Sequence, residues 1–124
     1  MTVGARVAGA DRVLAGWAAL VAVLLLAPPQ LLPAAVLDRG GRFPLDQAGH
    51  FLLFLVVAYL AARAARARTR HPLLWAAAAS FLYGAVLEAI QGLLGYRDAE
   101  VGDLVANGLG SLAGVLLPVL WRRP

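Results

Sequence analysis

The polar side chains able to do chemistry in this chain fall into three short pairs with one arginine nearby. Asp46 and His50 are four residues apart, Glu88 and Gln91 three apart, and Asp103 and Asn107 four apart, with Arg97 between the last two pairs. On a helix, residues three or four apart share a face, so each pair points one way. An aspartate beside an imidazole orients and charges the ring, the arrangement of a general acid–base pair. An arginine such as Arg97 grips a phosphate or carboxylate through two parallel hydrogen bonds.

Each residue also has a plainer use. Asp46 and Asp103 stand where a first-turn or N-cap carboxylate suits a helix dipole. His50 could be hydrogen-bonded inside a bundle, and Arg97 could snorkel to lipid headgroups. Glu88 is different, because it lies inside an apolar run and gains nothing from capping. It either works or holds helices together through a hydrogen bond to Asn107 or Gln91. By ligand type, His50, Asp46, Glu88 and Asp103 could bind a divalent ion, but no HExxH or comparable signature is present. No metal and no cofactor is therefore expected. The chain has no Cys, and its two serines, Ser80 and Ser111, lie in no catalytic pattern. The catalytic residues, if any, are not identified by motif.

What must position these groups is a set of membrane helices. Of the 124 residues, 61% are hydrophobic and 15% charged, and the mean hydropathy is +0.75. A water-soluble domain of this size could not hide so much apolar surface. Four apolar runs, at about 12–28, 46–63, 72–94 and 103–121, predict an all-α membrane protein. The fold expected is a bundle of four transmembrane helices in one domain spanning 1–124. Helices are required because each run must satisfy its own backbone hydrogen bonds in lipid. The first run follows Arg6 and Arg12 as a signal peptide would. Its Pro28-Pro29-Gln30 exit lacks a small-x-small cleavage pattern, so a retained helix is expected.

All the basic residues are Arg, and their positions predict orientation. Arg6 and Arg12 precede the first run, Arg63, Arg66, Arg68 and Arg70 crowd the link between the second and third, and Arg122 and Arg123 follow the fourth. The other links mix Arg39, Arg42 and Arg97 with acidic residues. The positive-inside rule then places both termini in the cytoplasm. The net charge of +4 is spread between apolar runs and not gathered on one surface, so nucleic acid is not an expected partner. The 31–37 stretch is too short to span and is expected to lie in the interface or re-enter. Trp17, Trp75 and Trp121 read as interface anchors or packing.

Under this topology Asp46, His50, Glu88, Gln91, Asp103 and Asn107, with Arg97, converge on the outer end of the bundle. Glu88 should lie about 9 Å from the end of its helix, six residues at 1.5 Å each. Small residues mark the faces that carry the polar ones. Gly84 precedes Glu88 by one turn, and Gly110 and Gly114 follow Asn107 at helical spacing, which lets membrane helices approach closely.

The ordered set is specific. Asp46-Gln47-Ala48-Gly49-His50-Phe51, then Tyr83-Gly84-x3-Glu88-x2-Gln91, then Arg97-x5-Asp103-x3-Asn107-x2-Gly110-x3-Gly114 resembles the VanZ-like family over about residues 44–116. Gln47 stands where the family has Lys, Phe54 where Tyr is common, and Gly95-Tyr96 where Pro-Gly is frequent. The resemblance implies a multi-pass protein of the bacterial cytoplasmic (inner) membrane with a cell-envelope role, in a family associated with resistance to the glycopeptide teicoplanin. The resemblance leaves the chemistry open; the one-sided polar cluster itself suggests membrane lipids as partners, with a polar lipid, a lipid-linked cell-wall precursor or a lipoglycopeptide antibiotic as the ligand to be bound or modulated. A membrane enzyme using His50 and Glu88 as acid and base is the alternative, as is a structural accessory subunit. Homo-oligomerisation is left open.

Overall fold

The structure is a computed structural model that describes residues 2–28, 45–95 and 100–121, with the side chains of 45 and 46 outside the description. The described residues form four helices: α1 (Val3–Leu26), α2 (Leu45–Ala65), α3 (Pro72–Leu94) and α4 (Val101–Trp121). They have 24, 21, 23 and 21 residues, against the roughly 20 needed to cross a hydrocarbon core. All four are apolar enough to do so. Large apolar side chains such as Leu74, Leu82, Leu93, Val105, Leu109 and Leu116 are exposed on the outside of the bundle, a surface that only lipid would tolerate. The chain is an all-α, multi-pass membrane protein. The 31–37 stretch and Arg97 lie outside the described residues.

Local signals account for the helix ends. α1 begins at Val3, well before the apolar run near residue 12, because Thr2 caps it: the Thr2 hydroxyl accepts from the Ala5 N–H at 3.3 Å. The early turns carry Asp11 and Arg12, so helical structure extends past the apolar stretch that hydropathy alone marks. At the α2–α3 link the Arg68 guanidinium donates to both Asp11 carboxylate oxygens, at 2.9 and 2.6 Å, and to the Ala64 carbonyl at 2.9 Å. α3 starts on Pro72, whose missing N–H costs nothing at that position, and ends at Gly95 with φ of 76°. That left-handed turn is one glycine adopts without strain.

The bundle is built around α2. Its most extensive interface is with α4, followed by α3 and then α1, and α1 makes no contact with α4 among the described residues. The α2–α4 seam is set by missing side chains. A Cβ on Gly110 would strike the Phe51 carbonyl, and one on Gly114 would strike the Leu55 carbonyl, closer than real Cβ atoms come. Backbone therefore lies on backbone, with dispersion contacts standing in for a hydrophobic drive that lipid does not provide. Deeper along α2, Ala58 and Ala62 form one buried cluster with Ala76 of α3 and Val115 of α4, while Phe54 and Val57 form another with Val21 and Leu25 of α1 and Leu87 of α3.

α1 is attached differently, by hydrogen bonds to main-chain carbonyls. Tyr83 on α3 donates its hydroxyl to the Ala18 carbonyl. Trp17 donates its indole N–H to the Leu53 carbonyl of α2 at 3.2 Å, so this tryptophan packs inside. Trp75 and Trp121, by contrast, are exposed. Gln91 donates to the Leu25 carbonyl at 2.5 Å, in the last turn of α1, where carbonyls run out of intrahelical donors. Tyr83→Phe should therefore lower stability by about 0.5–1.5 kcal/mol, the net worth of one such bond. Chemical denaturation of the detergent-purified chain checks it.

Candidate functional site

The glycine seam delivers the polar residues to each other. Because α4 lies directly on the α2 backbone at Phe51, the neighbouring His50 faces α4 and meets Asn107, three residues before Gly110. Gly84 clears the third side. A Cβ there would lie 2.9 Å from Asn107 Nδ2 and 3.0 Å from the Phe54 ring. α3 thus comes in close enough for Glu88, one turn on, to reach the same end of the bundle.

His50, Glu88, Asp103 and Asn107 come together there, from three different helices. They are 1%, 7%, 4% and 0% exposed, respectively, so the cluster is shut away inside the bundle. The His50 Nδ1–H donates to Asn107 Oδ1 at 2.8 Å, which turns Nε2 towards Asp103, whose Oδ2 is 3.6 Å away. Glu88 Oε1 accepts from the Glu100 N–H at 2.7 Å, at the N-terminus of α4, where backbone donors lack intrahelical acceptors. One ligand-type atom from each of His50, Glu88 and Asp103 lies within 4.8 Å of the others. Glu88 Oε2, Asn107 Nδ2 and the hydroxyls of Ser80 and Ser111 are buried with no hydrogen-bond partner among the described residues. The cluster thus has an oriented imidazole between an amide and a carboxylate, and a second carboxylate with one oxygen engaged.

The other expected site residues are placed as follows. Gln91 is buried, at 2% exposure, but its bond goes to α1 and not to the cluster. Asp46 lies in the first turn of α2, and its side chain is outside the described residues, as is Arg97. Among the described residues, the carboxylate facing His50 is that of Asp103, on another helix. Asp103 stands in the first turn of α4 and is buried there. Glu88 is tied to neither Asn107 nor Gln91; the partner is a backbone N–H. Two contributors lie outside the expected set. Glu100 acts through its main-chain N–H, and Gln47 packs its side-chain amide where a Gly102 side chain would be.

No curated protein and no solved structure matches the chain. One family model does, described as VanZ/LLP1, and it covers residues 14–122, a span that holds α2, α3 and α4, the second half of α1 and every residue of the cluster. The chain belongs to the VanZ/LLP1 family.

Proposed function

We propose that this VanZ-like membrane protein serves the bacterial cell envelope, with both termini cytoplasmic and the polar cluster near the outer leaflet. There the cluster binds or modulates the polar head of a lipid, a lipid-linked cell-wall precursor or a lipoglycopeptide. The observation that carries this reading is the burial of His50, Glu88, Asp103 and Asn107 together at one end of a mostly apolar bundle. Ionisable groups inside a membrane cost several kcal/mol each by the mildest scales, about 2.5–3.5, and α2 and α4 already have a glycine seam to hold them together. A purely structural tie does not need two carboxylates. The orientation is supported by the arginines around the opposite end, where Arg68 pairs with Asp11 and Arg63 lies over the Tyr59 ring.

The test is to express His50→Ala and Glu88→Gln in a susceptible host, confirm membrane abundance, and measure susceptibility to lipoglycopeptides together with binding of a lipid-linked precursor. Lost protection or binding at normal abundance supports the reading. Activity and abundance falling in parallel point to a structural network instead, and unchanged behaviour in both variants sinks the proposal.

A membrane enzyme is the second reading, favoured by one observation. The order Asn107–His50–Asp103 fixes the ring and sets a carboxylate by its second nitrogen, the geometry of an oriented general base. Turnover of a lipid-linked substrate by purified protein, lost in His50→Ala, would select it.

A further inference from the structure

From the geometry of the buried cluster we infer that His50, Glu88 and Asp103 bind one divalent transition-metal ion of the zinc class. The inference deepens the reading of the cluster as a working site and rests on it, but it has its own readout.

Spacing is the first argument. His50 Nε2 and Asp103 Oδ2 are 3.6 Å apart, long for a hydrogen bond. Two ligands on a tetrahedral zinc, each at about 2.1 Å, stand about 3.4 Å apart. The Glu88 ligand atom lies within 4.8 Å of both, so a side-chain shift of about 1 Å closes the set. Three helices held by glycine contacts supply a rigid frame for it.

The second argument is how each ligand is held. Metal-bound imidazoles almost always donate their other N–H to a fixed acceptor, and here Nδ1–H goes to Asn107 Oδ1 at 2.8 Å. A ligating carboxylate is likewise hydrogen-bonded through its spare oxygen. Glu88 Oε1 takes the Glu100 N–H at 2.7 Å, while Oε2 is fully buried with no hydrogen-bond partner among the described residues. One oxygen is anchored and the other is left without a hydrogen bond.

Charge is the third. The described residues bring two carboxylates and one imidazole into an interior shielded from water. Buried carboxylates are paired or coordinate a metal ion. One nitrogen and two oxygen ligands suit zinc and its neighbours; calcium and magnesium prefer six or more oxygens. Three protein ligands also leave a fourth position for an oxygen of water or of a bound phosphate or carboxylate.

The test uses the full chain, free of any polyhistidine tag, purified in detergent, stripped with chelator and titrated with Zn²⁺, with bound zinc counted by elemental analysis. One zinc per chain is expected. Glu88→Gln and Asp103→Asn should weaken binding at least tenfold, and Asn107→Ala, which frees the ring, about 10- to 100-fold. Asp11→Asn, at the opposite end, should bind as the unmodified chain does. Absence of zinc from the unmodified chain, or full binding by Glu88→Gln and Asp103→Asn, overturns the inference. Should a variant fail to fold, the unmodified chain still decides: zinc must raise its denaturation midpoint, and no rise counts against the site. Zinc bound by a chain whose Glu88→Gln variant keeps full activity would leave the metal and remove the functional reading. Activity lost in Glu88→Gln while the unmodified chain holds no zinc would do the reverse.

Discussion

Gly114→Leu is expected to break the bundle. The first atom of the new side chain would collide with the Leu55 carbonyl of α2 and sit 3.0 Å from the Ala58 Cβ. Neither neighbour can turn away, because one is backbone and the other has no rotamer. α4 must therefore move off α2, and the largest interface in the protein opens with it. Overpacking a well-filled core costs about 1–3 kcal/mol when side chains can adjust; here they cannot, so the loss should reach or pass the upper end. Gly16→Leu on α1 is the matched control, since nothing lies within 4 Å of that Cβ position. There the better helix propensity should give a gain of up to about 1 kcal/mol. Thermal denaturation in detergent and abundance in membranes compare the two. Equal behaviour would mean that the glycine contacts do not govern assembly.

The second large effect is expected at Asn107. Asn107→Ala removes the acceptor that holds the His50 Nδ1–H and leaves a void between Gly84, Phe54 and the imidazole. An orphaned buried donor costs about 1–3 kcal/mol; the lost volume adds to it at roughly 24 cal/mol per Å³ of cavity that fails to collapse. A fall in stability of about 2–4 kcal/mol is expected on those terms. Denaturation read separately on Asn107→Ala, His50→Ala and the double variant checks it. If the two residues act as a pair, the double variant loses clearly less than the sum of the singles; simple additivity would show that the hydrogen bond is not what couples them.

Much of the bundle is legible in the amino-acid sequence, for physical reasons that can be named. Arginine placement and run length imply four antiparallel spans, and those spans bring distant parts of the sequence together, so His50 and Asn107 fall at one level. Spacings of three and four then identify Gly84, Gly110 and Gly114 as lying with the polar residues. Bonds to the main chain are not legible in this way. Glu88 takes its hydrogen bond from the N–H of Glu100, and Tyr83 and Gln91 give theirs to the carbonyls of Ala18 and Leu25. Every residue carries such groups, so no residue type advertises them. The start of α1 is hidden for a related reason: hydropathy marks where a helix meets lipid, whereas Thr2 marks where its backbone begins.

The way α1 is held has a consequence for how this sequence can drift. Two of its ties reach carbonyls of its own backbone, at Ala18 and Leu25, and a carbonyl is indifferent to the side chain beside it. Much of the outward surface of α1 meets nothing else in the protein, and Gly4, Gly9 and Gly16 all stand in open space. Most apolar replacements along this helix leave its attachments intact. The opposite holds for the α2–α4 seam, where the neighbour is a main chain that cannot retreat. One protein thus contains a helix whose outward face is free to diversify, beside a seam that rejects a single added methyl group.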